Sequence, residues 1–279
     1  MNSAQATWLS GGRLHLHHGP IDMVLGIDGP GREAGFRRAS HRFATLLQEL
    51  VDDLPRLRAA HGPMPGGETA RAMVRAVHPF EDRFVTPMAA VAGAGADTIL
   101  AAIREGAGVT RAYVNNGGDI ALHLGPGATM RVAMAGGCVE LTHADQVRGV
   151  ATSGWRGRSQ SLGIADSVTV LARNAGAADA AATLICNAVD LPGHPAITRL
   201  PASDASPDSD LGDRHVTTHV GALSRCEITV ALDHGARFAE TCRARGLIHG
   251  AALGLGSEMR TIGALALPSS PQQPDLTHA

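Results

Sequence analysis

The chain has 279 residues, and all 24 of its basic residues are arginines, so it contains no lysine. The absence of lysine excludes a P-loop nucleotide site, a lysine Schiff base and a protein-kinase site, because each depends on a lysine side chain. A net charge of −2 and an aromatic content of 3% argue against nucleic-acid binding, which uses a basic surface and base-stacking side chains.

The spacing of apolar residues predicts a mixture of helices and strands. Residues 1–20 are expected to form a loose arm ending in a short strand, with His15, His17 and His18 at an exposed strand edge rather than in a metal site. Apolar residues recurring at three and four predict helices at 33–60, 68–77, 86–106, 175–189 and 228–245. Alternating or short apolar runs predict strands at 112–114, 119–124, 130–134, 138–141, 167–171, 216–220 and 250–256.

Strands and helices do not alternate strictly along the chain, which favours the α+β class over a doubly wound fold. We expect an arm at 1–20, a single domain at 21–265 and a disordered polar tail at 266–279. The four cysteines form no C-x-x-C pair, no apolar run reaches about 18 residues, and the N-terminus lacks the pattern of a signal peptide. These features predict a reduced, cytoplasmic protein without a membrane contact.

Asp179 and Thr183 are the first candidate site residues. They are four apart on a predicted helix and therefore lie on one face of it. A carboxylate and a hydroxyl suit Mg²⁺, with further oxygen ligands from backbone, phosphate or water. The alternative is structural: an aspartate in the first helical turn stabilises the helix dipole, and the threonine fills space.

Two further segments have the composition of ligand-binding turns. Residues 149–159 combine glycines and hydroxyls with Arg156 and Arg158, which is typical of an anion-binding nest but also of a polar surface loop. In 115–119, Asn-Asn-Gly-Gly-Asp is first of all a turn signal. A functional version would use Asp119 as a hydrogen-bond acceptor and the glycines to let a ligand approach.

Other patterns do not match known site signatures. Gly93 and Gly95 do not form a dinucleotide fingerprint, because Thr98 stands where the third glycine belongs. The aspartates of 201–213 do not have the spacing of a calcium loop, and we interpret that segment as a solvated loop. No G-x-S-x-G or H-E-x-x-H motif occurs.

In order and spacing, several strings resemble the ApbE-like superfamily of FAD:protein FMN transferases. The matching strings are VAGAGAD (91–97), NNGGDI (115–120), GVATSG (149–154), and SVTVLA (167–172) followed by AADAAAT (177–183). With the longer strings around them, the likeness covers most of residues 70–255. These longer strings are similar to an uncharacterised branch of that superfamily.

The resemblance implies an α+β fold of two T-fold-like units with mainly antiparallel sheets and a ligand between them. It implies binding of FAD and Mg²⁺, with transfer of FMN to an acceptor protein or hydrolysis of FAD. The implied metal ligands are Asp179, Thr183 and a backbone carbonyl near Gly93. The implied ligand-binding residues are Asn116, Gly117, Gly118 and Asp119, then Thr152, Ser153 and Gly154. Because the family lysine is absent, a transferase at this site would need Mg²⁺ and arginines such as Arg156 and Arg158 to neutralise phosphate charge.

Two departures from the family pattern keep other functions open. The lysine that the transferases usually carry beside the metal is replaced by the segment 93–95, and the histidine expected within 155–166 is absent. The alternatives are a non-catalytic protein that binds a flavin or nucleotide-like molecule, and a metal-dependent enzyme acting on another phosphorylated substrate. The oligomeric state that we consider for this chain is a homodimer.

Overall fold

The computed structural model describes residues 3–134, 137–157 and 159–263, which form strands and helices in mixed order. The strands are β1 (Gln5–Leu9), β2 (Arg13–His18), β3 (Ile21–Asp28), β4 (Arg111–Asn116), β5 (Asp119–Leu124), β6 (Thr129–Met134), β7 (Gly137–Thr142), β8 (Gly149–Ser153), β9 (Ser167–Ala172), β10 (Ile197–Pro201), β11 (His215–Val220), β12 (Gly250–Leu255) and β13 (Glu258–Ile262). The helices are α1 (Arg32–Asp52), α2 (Leu54–Leu57), α3 (Glu68–Val77), α4 (Val91–Arg104), α5 (Ala175–Ala188), α6 (Ala202–Ala205) and α7 (Arg225–Ala244).

Nine of the strands form one antiparallel sheet in the order β1-β2-β3-β4-β5-β8-β9-β12-β13. The sheet divides into two halves of the same connectivity. In the first, β2 and β3 are followed by α1 to α4 and then by β4 and β5; in the second, β8 and β9 are followed by α5 to α7 and then by β12 and β13. The two halves meet where β5 pairs with β8. The α+β class, mainly antiparallel and built from two similar units, is therefore confirmed.

The helices cover one face of the sheet because alternate strand residues are apolar. In β3, Ile21, Met23, Leu25 and Ile27 are buried, whereas the residues between them are more accessible. The buried set packs in a single core with apolar side chains of α1 and α4, of which Phe43 and Ile99 are almost fully enclosed. The β6–β7 hairpin packs apolar residues into a second, smaller cluster with β5, β8 and β9.

The helices α4 and α5 touch at their first turns. A Cβ atom added to Gly93 would lie 2.2 Å from the carbonyl oxygen of Ala175, so only glycine permits this approach. At the same contact Asp97 of α4 accepts hydrogen bonds from the N–H groups of Ala175 (3.0 Å) and Gly176 (2.8 Å). Asp179 of α5 accepts in return from the N–H of Gly93 at 2.9 Å. Each helix thus supplies a carboxylate that satisfies the free N–H groups at the start of the other.

Several predicted elements agree with the structure. The helix at 68–77 and the strand at 119–124 have the predicted bounds, and the helix expected at 33–60 is divided at Asp53, just before Leu54 and Pro55 begin the short α2. The tail predicted at 266–279 lies outside the described residues. In the described ranges, no helix has the length and apolarity required to cross a membrane.

Other segments differ from expectation. The first twenty residues contain two strands of the main sheet, and the histidine-bearing β2 lies between β1 and β3 rather than at an edge. Residues 149–153, expected in a turn, form β8 in the middle of the sheet. The pairing of distant strands, which local patterns do not encode, accounts for both differences.

The Gly93 contact predicts the effect of a single methyl group. Gly93→Ala should lower the free energy of unfolding by about 1–3 kcal/mol, because the added Cβ would push against backbone atoms of α5. Urea denaturation followed by circular dichroism measures the change. Gly66→Ala is the matched control, since its Cβ would meet no atom within 4 Å. Equal stability of Gly93→Ala and the wild type would mean that the two helices separate without cost.

Candidate functional site

A cavity of about 620 Å³ lies where the two halves of the sheet meet. Its walls come from the β4–β5 turn, the end of β8, the start of α4 and one face of α5. The volume is within the range of small-molecule sites. The lining includes Asn116, Gly117, Asp119, Thr152, Ser153, Gly154, Asp179 and Thr183, so the structure brings together most of the residues predicted from three distant segments.

The β4–β5 turn is held against the second half of the sheet. Gly117 and Gly118 have positive φ angles of 65° and 115°, which suit glycine. Asn116 donates from Nδ2 to the carbonyl oxygen of Ala92 at 3.0 Å. Asp119 is buried and accepts a hydrogen bond from the N–H of Thr152 at 3.2 Å. These bonds position the turn relative to both α4 and β8.

Residues 152–154 lie at the end of β8, where the chain leaves the strand close to the backbone of Asp166. The hydroxyl of Thr152 is 2.9 Å from that of Thr169 on β9. A Cβ on Gly154 would lie 2.3 Å from the carbonyl oxygen of Asp166, so the chain passes too close for a side chain. Thr152, Ser153 and Gly154 therefore line the cavity, and the Ser153 side chain is also hydrogen-bonded with the thiol of Cys186.

Asp179 and Thr183 project from one face of α5 into the cavity, as their spacing predicts. Burial raises the pKa of Asp179 well above its usual value, and the negative charge of Asp119 raises it further. The N–H groups of Gly93 and Ala92 oppose the shift by donating to the carboxylate. Two carboxylates that repel each other across a cavity form an arrangement that a cation stabilises.

The donor set of this cavity fits a hard cation. Asp119, Asp179 and Thr183 supply carboxylate and hydroxyl oxygens, which are the ligands that Mg²⁺ prefers. Gly93 presents its N–H to Asp179, and the carbonyl role expected near it stays a prediction. Within the ranges that the structure describes, no group of three or more His, Cys, Asp or Glu side chains is placed to hold a metal.

The arginines expected on the phosphates are not part of the described lining. Arg156 donates from Nε to Asp166 at 3.1 Å and stacks over the ring of Trp155, with 4.6 Å between its Cζ and the ring centroid. Arg158 lies outside the described residues. Among the described lining residues no side chain is basic, whereas Asp119, Asp179 and Asp210 are acidic.

Sequence reasoning missed the contribution of the acidic loop. The segment 201–213, interpreted as solvated, contributes Ser206, Ser209 and Asp210 to the cavity. Asp210 accepts a hydrogen bond from the hydroxyl of Thr86, which itself caps the turn before α4 by accepting from the N–H of Met88 at 3.3 Å. A threonine followed by proline is a helix-start signal that marks Thr86, but nothing local connects it with a residue 124 positions away.

Behind the cavity wall, Asp97 is a second buried carboxylate. Burial raises its pKa from 3.8 to about 6, although the N–H groups of Gly176 and Ala175 donate to it and oppose the shift. Its negative charge also contributes to the raised pKa of Asp179. The first turns of α4 and α5 therefore enclose two carboxylates whose charges are coupled.

Comparison with known proteins finds a matching family model and several related sequences. The family model described as AbpE bacteria matches residues 6–261. A UPF0280 protein of Methanopyrus kandleri is 40% identical over 130 residues, which are 43% of this chain and 48% of the relative. A UPF0280 protein of Methanothermobacter thermautotrophicus is 37% identical over 182 residues, which are 63% of this chain and 64% of the relative. The chain thus spans about half to two thirds of the length of these relatives.

Among solved structures, the crystal structure of the Pseudomonas stutzeri flavinyl transferase ApbE, in its apo form, is similar with a TM-score of 0.42 and 15% sequence identity. The match covers 94% of this chain and 96% of that one.

The raised pKa of Asp97 predicts a pH dependence of stability. Between about pH 4 and pH 6 the unfolded chain has lost the proton of this carboxyl while the folded chain retains it, so stability falls as the pH rises. The loss should reach roughly 3 kcal/mol by pH 7, from a shift of about two pKa units. Asp97→Asn should lack this component, as measured by urea unfolding of both proteins from pH 4 to 7.5.

The exposed Asp52 provides the control for this measurement, because Asp52→Asn should follow the wild-type profile. Parallel profiles for the wild type and Asp97→Asn would contradict the expectation, since they would mean that Asp97 titrates alike in the folded and unfolded states.

Proposed function

The chain belongs to the family described as AbpE bacteria, and we propose that it binds FAD together with Mg²⁺ in the cavity between its two halves. The resemblance of residues 86–190 to FAD:protein FMN transferases supports flavin as the ligand. The convergence of the three resembling segments on one cavity supports this location. The ligand class proposed is thus a flavin nucleotide with a pyrophosphate.

The observation that carries the proposal is the placement of Asp179 and Thr183 in one cavity with the turn at 116–119 and the end of β8. Burial raises the pKa of Asp179 well above its usual value, and the negative charge of Asp119 raises it further. The charged form of Asp179 would repel a pyrophosphate brought into this cavity alone. A divalent cation held by Asp179 and Thr183 would offset that repulsion, which is why Mg²⁺ belongs to the proposal.

We assign the residues of the cavity the following parts. Asp179 and Thr183 hold the cation, which when bound neutralises charge on the pyrophosphate. The turn at 116–119 accepts and donates hydrogen bonds at the flavin side, with Asp119 as acceptor. Thr152, Ser153 and Gly154 contact the ligand from the end of β8, where the close passage at Gly154 leaves the backbone open to it.

The proposed reaction is transfer of FMN from FAD. The hydroxyl oxygen of a threonine or serine in an acceptor protein bonds to the FMN phosphorus, and the bond from that phosphorus to the oxygen of AMP breaks. AMP leaves, and the hydroxyl proton passes to solvent. With water in place of the acceptor the same bond changes give FMN and AMP.

A second function is favoured by one observation. The segment 93–95 has glycine and alanine where the transferases usually have a lysine, and Arg156 is held by Asp166. Among the described lining residues, the site therefore has no basic side chain to stabilise charge developing on phosphorus. A protein that binds FAD and Mg²⁺ without cleaving the pyrophosphate has the same cavity and does not need those groups.

The transfer proposal predicts Mg²⁺-dependent release of AMP when the purified protein is incubated with FAD. Asp179→Asn should reduce the rate by roughly 100-fold or more, the usual effect of removing one group that stabilises charge in the transition state. Thr183→Val should reduce it as well, because the variant has no hydroxyl to offer the cation. Chromatography of the nucleotides over time measures all of these rates.

Asp52→Asn is the matched control, since it removes an exposed carboxylate of α1 far along the chain from the site. It should leave the rate unchanged. Tight FAD binding by the wild type, with no AMP released in the presence of Mg²⁺, would reject catalysis and favour the binding function. The absence of calorimetric binding to FAD, FMN or ADP, with and without Mg²⁺, would reject both.

A further inference from the structure

A second cavity, of about 630 Å³, lies on the other side of the contact between α4 and α5. It is bounded by α3, the middle and end of α4, β5 and the start of α5. Four arginines and two histidines from separate elements converge on it: Arg75, Arg104, Arg148, Arg173, His123 and His143. None of these residues was singled out as part of a site by the sequence analysis, because they are scattered over about 100 residues.

The arginines of this cavity form no salt bridge with a described carboxylate, although the charge of Arg148 contributes to lowering the pKa of Asp145. None of the four lies within ion-pair distance of a described carboxylate. The arginine salt bridges among the described residues all involve other arginines. Arg148 instead donates to backbone carbonyls, including that of His143 at 2.8 Å and its neighbour Val147 at 2.6 Å. These bonds orient a guanidinium group without cancelling its charge.

Asp97 is the one acidic residue in the described lining, and its carboxylate is already engaged. Both of its oxygens accept hydrogen bonds from the first N–H groups of α5. Four arginines against one aspartate give the described lining a formal charge of +3.

The pKa of His123, which also lines this cavity, is affected by the same positive charges. Burial lowers the pKa of His123 first, and the positive charges of Arg104 and Arg148 and the nearby His143 lower it further. His123 is thus driven towards its neutral form, in which one ring nitrogen donates and the other accepts. The positive charges in this cavity are close enough to act on one another.

We propose that this second cavity binds a small polyanion, a molecule that carries at least two phosphate or carboxylate groups. Guanidinium groups bind both kinds of oxyanion through paired N–H donors, and several unpaired arginines around one cavity form a multidentate site for them. The start of α5 is not itself the binding group. Its first three N–H groups are already bonded to Asp97 and to the side chain of Asn174.

The position of this cavity adds a structural reason. The first cavity lies at the start of α4 beside Asp179, and the second at the start of α5 beside Asp97. The two are therefore counterparts in the two halves of the fold, with opposite charge in their described linings. The acidic cavity suits a cation, and the basic one suits an anion without a metal.

Calorimetric titration with inorganic pyrophosphate, in buffer freed of divalent cations by a chelating resin, tests the proposal. No soluble chelator is added, because EDTA is itself a polycarboxylate, and without divalent cations the acidic cavity has no bound metal to hold the probe. We expect the wild type to bind pyrophosphate and Arg75→Gln/Arg104→Gln to bind it about 100-fold more weakly, because removing each guanidinium group weakens binding roughly tenfold. Both arginines are exposed on helices, and the unfolding temperature of each variant is measured alongside.

Arg37→Gln/Arg243→Gln is the matched control. It removes two exposed arginines of α1 and α7 that do not line the cavity, and so changes the net charge equally. Its affinity should stay within about threefold of the wild type, since distant surface charges are screened at physiological salt. Equal weakening in the two double variants would overturn the proposal, because the attraction would then be diffuse.

A parallel titration with citrate distinguishes the two sources of oxyanion. Tighter binding of pyrophosphate identifies phosphate as the recognised group, and tighter binding of citrate identifies carboxylate; either result supports a polyanion site. If the wild type binds neither probe, the cavity is not such a site. All of these results are independent of FAD and AMP, so they stand or fall apart from the flavin proposal.

Discussion

The exchange of carboxylates between α4 and α5 is the contact on which the arrangement of both cavities depends. Asp97 and Asp179 each bond to the first N–H groups of the opposite helix, and the glycines at the contact let the two backbones touch. A helix start buried without acceptors would be costly. Because each helix supplies the acceptor for the other, neither can shift alone, and the two halves of the sheet are held in one relative position.

This exchange also explains why the fold can be nearly symmetric in its framework and asymmetric in its chemistry. The helix starts and their carboxylates are equivalent, so the backbone around them is repeated. The side chains further out are free to differ. On one side they are hydroxyls, amides and two further aspartates, and on the other they are arginines and histidines. A repeated scaffold thus supports two cavities whose described linings differ in the sign of their formal charge.

Local sequence patterns predicted the elements better than their pairing. The 3.6-residue and two-residue periods gave correct bounds for α3 and β5. The α+β class followed from the lack of strict alternation of strands and helices, and the family followed from ordered strings. Residues 149–153 were expected in a turn because hydroxyls and glycines are common there, yet their neighbours in the sheet make them a strand. The bond between Asp97 and α5 joins residues 78 positions apart, and a distance of that kind has no local signal.

The side chains of the site were likewise predictable where local geometry places them and not where tertiary contacts do. Asp179 and Thr183 share a face because helical geometry requires it, and that was predictable. Arg156 was expected to contact phosphate because of the composition of residues 149–159. It is bonded instead to the carboxylate of Asp166 and is not among the residues that line the cavity. Which acceptor an arginine meets is decided by the tertiary structure, since a long flexible side chain reaches several.

The arginines of the second cavity have a consequence for how the protein responds to its surroundings. Guanidinium groups stay protonated far into the alkaline range and are not substrates for lysine acetylation. The Asp179 carboxylate of the first cavity, by contrast, holds its proton more tightly than usual and is neutralised at a milder pH than an exposed carboxylate. The arginines of the second cavity therefore keep their charge in mild acid, whereas the carboxylates beside both helix starts take up protons. Because the pKa of Asp97 is raised to about 6, mild acid makes the first cavity less negative and the second one more positive.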